Sequence, residues 1–145
     1  MLIQRALAIL TGIWLGAQLI VGYVVAPILF QHLPKMTAGN LAGELFTLLS
    51  YFGLAVWFGF VAFLSHRIQA TAVRVLLAVL CLLIAANQWL ITPVIEALKT
   101  QGQNWLLSWL GGNFGMWHGI SAVVYLLVSL IGGYLVCRFL RLKMH

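Results

Sequence analysis

Four apolar runs, near Ala6 to Gln31, Leu41 to Leu64, Val73 to Ile95 and Phe114 to Cys137, alternate along the chain with short polar breaks. Each reaches the length of about 20 residues that a helix needs to cross a hydrocarbon layer about 30 Å thick. None shows the strict period-two alternation of a barrel strand, and lipid offers the backbone no outside hydrogen-bond partner, so the runs predict membrane-spanning helices. The expected fold is all-α, an integral membrane antiparallel four-helix bundle spanning residues 1–145 as a single domain. His32 to Thr37 predicts a tight turn in which Pro34 stops the first helix, with Thr37 or Asn40 available to cap the second. Ser65 to Ala72 predicts the turn at the opposite end.

The third connection departs from this simple punctuation. Asn104-Trp105-Leu106-Leu107-Ser108-Trp109-Leu110 is too apolar for a solvated loop and too short to span. It predicts either a short helix in the interface, begun by Asn104, ended by Gly111 and Gly112 and anchored by Trp105 and Trp109, or a longer fourth helix projecting from the bilayer. Gly12 with Gly16, Gly39 with Gly43 and Gly115 with Gly119 stand at the four-residue spacing that lets helices approach closely, and Gly22 with Ala26 is similar. The two hairpins are alike in length but share no sequence match.

Composition agrees with lipid as the solvent. Hydrophobic residues make up 63% of the 145 and charged residues 7%, against about 25% charged in an ordinary soluble domain. The net charge of +6 does not mark a nucleic-acid surface, because the basic residues bracket the spans and do not gather on one face. Arg5, Arg67, Arg74, Arg138, Arg141 and Lys143 fall on the side of the termini, and Lys35 and Lys99 on the other. That asymmetry predicts both termini in the cytoplasm and a multi-pass protein of a bacterial cytoplasmic membrane. The first run exceeds the apolar core of a secretory signal and lacks a small-x-small cleavage site, so it reads as a retained span. Cys81, inside a span, and Cys137, at a span end, predict apolar fillers and no disulfide framework.

Against this background the polar residues within the spans stand out. Gln18 lies near the middle of the first, Glu44 within two turns of the start of the second, Asn87 and Gln88 about two turns from the end of the third, and His118 about one turn into the fourth. A carboxylate near mid-bilayer costs about 2.5–3.5 kcal/mol on insertion scales, so Glu44 is expected to face inward. Convergence of Glu44, Asn87, Gln88 and His118, with Gln18 beneath, predicts an outward-facing polar pocket for a small ligand or cation; the plainer alternative is that these groups only hydrogen-bond the helices together.

Metal and haem readings have weaker support. His32, Met36, Met116 and His118 belong to the outer side, and thioether plus imidazole suits copper(I). However, Met116 and His118 are two apart and diverge on a regular helix, and Pro34 separates His32 from Met36. Haem needs facing axial ligands, and pairing His32 with His118 puts the porphyrin at the surface. With two acidic residues in all, and no nucleophile elbow, phosphate loop or HExxH helix, the sequence leans away from an enzyme. A structural or accessory subunit of a larger membrane complex, or a homo-oligomer packed through its glycine faces, remains an alternative, as does a small transporter with a break at Gly111 to Gly115.

The ordered set Trp14-Leu15-Gly16, Val25-Ala26-Pro27, Phe30, Leu33-Pro34, Ala38-Gly39, Ala42-Gly43, Leu45-Phe46, Asn87, Thr92-Pro93, Phe114, His118-Gly119 and Ser121 resembles a family of small bacterial inner-membrane proteins of unknown function, carrying domain of unknown function 4149 and related to eukaryotic transmembrane protein 205. The resemblance implies a four-span bundle, with no established activity, substrate or cofactor to carry over. Association of the eukaryotic relatives with resistance to platinum drugs implies a soft-metal or export role by analogy only. A more distant likeness in size and topology, to copper-resistance membrane proteins and a haem-dependent porphyrinogen oxidase, is offset by the absence of a buried histidine in the first span.

Overall fold

The computed structural model describes residues 2–64 and 71–141, with side chains over 5–63 and 71–139. Among the described residues there is helix and no strand. The elements are α1 (Leu2–Ile20), a π-helical turn (Val21–Val25), α2 (Ala26–His32), α3 (Lys35–Leu64), α4 (Thr71–Ala86), a second π-helical turn (Asn87–Ile91), α5 (Thr92–Thr100), α6 (Trp105–Leu110) and α7 (Phe114–Arg141). Four continuous stretches are long and apolar enough to cross a membrane: Arg5–His32, Lys35–Phe63, Thr71–Thr100 and Phe114–Phe139. The all-α four-helix bundle is therefore the fold. Arg67, Lys143 and most of the turn expected over Ser65 to Ala72 lie outside the described residues, as does the Arg141 side chain.

Two boundaries differ from expectation, each for a local reason. Leu33 is extended and ends α2, but α3 begins at once: the Pro34 carbonyl accepts from Ala38 N at 2.9 Å. Proline lacks a donor that the first turn would leave unpaired anyway, so it opens α3 directly, and Thr37 and Asn40 fall inside the helix instead of capping it. The third span runs past Ile95 to Thr100, where Gln101 turns left-handed (φ 54) and Gly102 N donates to Ala97 O at 2.8 Å, the pattern of a Schellman stop. That extra length brings Glu96 and Lys99 into the bundle.

The short helix between the third and fourth spans forms as α6. Asn104 Oδ1 accepts from Leu106 N at 2.9 Å and Leu107 N at 3.2 Å, and Gly111 and Gly112 take positive φ after it. Leu106 and Leu107 pack toward Ile91, Val94 and Trp117, while Trp105 and Trp109 remain exposed.

In the half nearest the termini the four spans form a square in which each packs on its two sequence-adjacent or terminal neighbours: α1 on α3 and α7, and α4 on α3 and α7. The core there is dry and aromatic. Trp14 meets Trp57 edge-on at 5.7 Å, Phe60 packs on Phe139 at 4.2 Å, and Leu77, Leu80 and Leu135 are fully enclosed. Trp14 Nε1 donates to Leu49 O at 3.0 Å, a carbonyl of the neighbouring span. Gly53 and Gly132 make room for this indole, since a Cβ on either would run into it. In the far half, extensive backbone contact persists only within each hairpin, through α2 with α3 and α5 with α7.

The halves thus carry the same punctuation without sharing a sequence. Leu7, Thr11, Trp14 and Gln18 are buried at the same spacing as Val73, Leu77, Leu80 and Ile84, and both series run into a π-helical turn closed by a proline, Pro27 or Pro93. Gly53 and Gly132 are likewise matched between the second and fourth spans, as are Phe60 and Phe139.

The glycines separate packing positions from open ones. Gly53→Ala forces the Trp14 indole to move and is expected to cost about 1–3 kcal/mol, as overpacking does. Gly12→Ala meets nothing within 4 Å and should stay within about 0.5 kcal/mol of the parent. Reversible unfolding in mixed micelles measures both.

Candidate functional site

Where the hairpins separate they enclose a cavity of about 450 Å³, within the range of about 300–1,000 Å³ typical of small-molecule pockets. All four spans line it. The second span contributes Gly39, Ala42, Gly43, Phe46 and Ser50, which follow one another at helical intervals down a single face. Aromatic rings form much of the wall: Tyr23 and Phe30 from the first span, Phe46 from the second, Phe114 and Tyr125 from the fourth. Phe46 and Tyr125 lie 5.0 Å apart, and Tyr23 stands 6.1 Å from Tyr125.

The polar groups occur at two levels. Toward the far end Lys99 Nζ lies 2.7 Å from Glu96 Oε1 and donates across to Gly39 O at 3.3 Å. The lysine side chain is only 9% exposed and the glutamate 49%. Gly39 and Gly43 create the groove for this pair: a Cβ on Gly43 would stand 3.8 Å from Glu96 Oε1 and 3.9 Å from Lys99 Nζ. Deeper in the bundle Ser121 Oγ donates to Asn87 Oδ1 at 3.0 Å, and Gln88 Nε2 reaches Thr47 Oγ1 at 3.5 Å. His118 lines the wall one turn above Ser121, its ring nearly parallel to Phe114 at 5.7 Å.

The two π-helical turns face this space. Ala26 N–H reaches back five residues to Val21 O, and Pro27 has no N–H, so the helical register leaves Gly22 O and Tyr23 O without a donor. The second turn repeats the arrangement: Thr92 N–H and Thr92 Oγ1 both go to Asn87 O, and Pro93 leaves Gln88 O and Trp89 O without one. Gly22, Tyr23, Asn87 and Gln88 all line the cavity. Irregular backbone at membrane depth is tolerated in such a place, beside a space that can admit polar partners.

Beneath the cavity a chamber of about 20 Å³ shares Phe46, Ser50, Asn87 and Tyr125 with it and adds Gln18. Tyr125 Oη donates to Gln18 O. The Gln18 side chain is 4% exposed and makes no hydrogen bond among the described residues. Below lies the Trp14–Trp57 core, so the space is blind at that end.

Of the residues expected at the site, Asn87, Gln88 and His118 line the cavity and Gln18 lies under it. Glu44 does not join them. It is exposed and outside the lining, because it sits one residue, about 100°, around from the Gly39–Gly43–Phe46 face. The carboxylate at the cavity is that of Glu96, which the sequence reading left in a connection because it ended the third span at Ile95. The missed signal was Thr92-Pro93: with Ala26-Pro27 it marks a break inside a span and not its end.

His32, Met36 and Met116 lie outside the lining, with only His118 of that set on it. Among the described residues no three His, Cys, Asp or Glu side chains gather as metal ligands do. Of the glycine pairs, Gly39 and Gly43 hold the ion pair, not a helix. Gly12, Gly16 and Gly119 have nothing within 4 Å, and Gly115 only Asn113 Oδ1. Close packing falls instead on Gly22 against Tyr125 and on the two glycines around Trp14.

The model of a family described as a domain of unknown function, DUF4149, matches residues 9–104, a stretch that includes both π-helical turns and the Glu96–Lys99 pair. No curated protein and no solved structure matches the chain.

The Asn87–Ser121 contact joins the third and fourth spans beside the cavity. A double-mutant cycle with Asn87→Leu and Ser121→Ala should return a coupling of about 0.6 kcal/mol, the scale of interhelical polar pairs in membranes. Unfolding in mixed micelles reads it.

Proposed function

The chain belongs to the DUF4149 family, and we propose that this integral, multi-pass membrane protein binds one small, largely apolar ligand by its polar end. The observation that carries the reading is the cavity itself: an aromatic space of about 450 Å³ between two hairpins, into which the third span directs Asn87, Gln88, Glu96 and Lys99 and the fourth His118. A bundle built only to stand in lipid gains nothing from this gap, because helices held apart forgo the close packing that binds them together. The far halves are in extensive contact only within hairpins, which supports entry of the ligand from the lipid between spans. A bare cation suits the site less well, since the Lys99 ammonium already neutralises Glu96.

The same reading puts the protein in a bacterial cytoplasmic membrane with both termini inside. Support comes from the excess of arginine at the end of the bundle that carries the termini and from the order of residues it shares with the relatives of transmembrane protein 205. Trp105 and Trp109, exposed on α6, then lie where indoles anchor in the outer interface. A second reading, an accessory subunit of a larger complex or of a homo-oligomer, is favoured by Gly12 and Gly16, which meet nothing within the chain.

Filling the cavity separates these readings. Gly43→Ala leaves ordinary contacts of 3.8 and 3.9 Å to the Glu96–Lys99 pair, whereas Gly43→Leu occupies the space. Native mass spectrometry of the parent, released from mild detergent, should show a retained adduct of small-molecule mass that Gly43→Ala keeps and Gly43→Leu loses. A parent that flies without any adduct, or always with a stoichiometric protein partner, contradicts the ligand-binding reading.

A further inference from the structure

We propose that the head of the bound ligand is a neutral ring bearing carbonyl oxygens, of the class of lipid-soluble quinones, held at the deep level by the Asn87 amide and the His118 ring. This rests on the reading of the cavity as a ligand site and goes beyond it by naming the chemistry. The charges on the wall argue first. Lys99 and Glu96 satisfy each other at 2.7 Å, and Lys99 also donates to Gly39 O, so neither an anionic nor a cationic head finds an uncompensated partner. The remaining polar side chains on the wall are amides and hydroxyls, among them Asn87, Gln88, Ser50, Ser121 and, in the chamber below, Gln18, with His118 the one imidazole.

Two of those neutral groups have amide protons to give. Asn87 Oδ1 is occupied by Ser121, which leaves both protons of its Nδ2 to give. Gln88 uses Nε2 only on Thr47, at the long distance of 3.5 Å. Gln18, nine-tenths buried, has an unpartnered amide facing the chamber, which at about 20 Å³ has room for one water. An amide proton facing the cavity without a partner is met by a ligand oxygen that accepts from it. Carbonyl oxygens on a neutral ring do this without bringing charge into the membrane.

The wall supplies the rest of the specificity. Tyr23, Phe46 and Tyr125 form a cluster with centroids 5.0–6.1 Å apart, and the parallel His118 and Phe114 rings present another flat surface. Aromatic faces and edges favour a planar π-system over a saturated chain of equal area. His118 stands one turn, about 5 Å along the fourth span, from Ser121, the residue bonded to the Asn87 amide. The isoprenoid tail then leaves between spans into lipid.

Decylubiquinone is the probe and decylbenzene, which has the ring and tail without carbonyls, is the control. The purified full chain in detergent is titrated with each, and the rise in thermal unfolding midpoint gives an apparent Kd, since binding to the folded state alone stabilises it. We expect saturable stabilisation by decylubiquinone and none by decylbenzene. His118→Phe, which keeps the stack on Phe114, and Asn87→Leu should each weaken the probe about tenfold, and Gly43→Leu should abolish its effect. Equal stabilisation by both compounds, or His118→Phe binding the probe like the parent, overturns the proposal even if Asn87→Leu does not fold. If native mass spectrometry shows an adduct that Gly43→Leu removes while decylubiquinone has no effect, the quinone class falls and the ligand-binding reading stands; loss of both results removes both.

Discussion

In hydrocarbon a backbone carbonyl without a donor costs several kcal/mol, and the architecture of this protein follows from where that cost is avoided and where it is accepted. Along most of the four spans each carbonyl is answered within its own helix. At two places it is not. Pro27 and Pro93 each follow a π-helical turn, and together they release carbonyls at the same height of the first and third spans. The bundle opens around those places, so Gly22, Tyr23, Asn87 and Gln88 of the frayed backbone line a cavity.

The two halves of the bundle accordingly differ in kind. Near the termini, Trp14 is wedged against Trp57 and between Gly53 and Gly132, and the fit closes the space completely. Beyond Ser50 the hairpins are held across the gap by a few polar bonds, Lys99 to Gly39 O, Gln88 to Thr47 and Tyr125 to Gln18 O, while Ser121 to Asn87 joins the two spans of the second hairpin. Tight packing at one end fixes the frame, and sparse hydrogen bonding at the other leaves room for something else. A packed plug beneath an open, half-polar chamber suits binding better than conduction, because the aromatic core around Trp14 and Trp57 lies directly beneath it.

Much of the fold was legible in the sequence because apolar length is a strong signal. The four spans, the stop at Leu33-Pro34 and the Asn104-capped α6 all follow from it and from local capping chemistry. What was not legible depended on rotation and on breaks. Depth counting could not say which way Glu44 faced, and the helix turns it about 100° from the cavity. Ending the third span at Ile95 hid Glu96 and Lys99, although Thr92-Pro93 and Ala26-Pro27 at matching places carried the clue. The GxxxG spacing misled for a related reason: small size permits close approach without saying what approaches, and at Gly39 and Gly43 it is a lysine.

The central claim is that the bundle is open down to Ser50 and sealed immediately below. Single cysteines at Gly43, Ser50, Ala122, Leu54 and Val128, in a chain with Cys81 and Cys137 replaced by alanine, test it through labelling by a small methanethiosulfonate reagent in proteoliposomes. The account predicts rapid modification at Gly43, Ser50 and Ala122, which line the cavity, and protection at Leu54 and Val128, which are buried in the aromatic core. Equal reactivity at all five positions, or protection at all five, would contradict it.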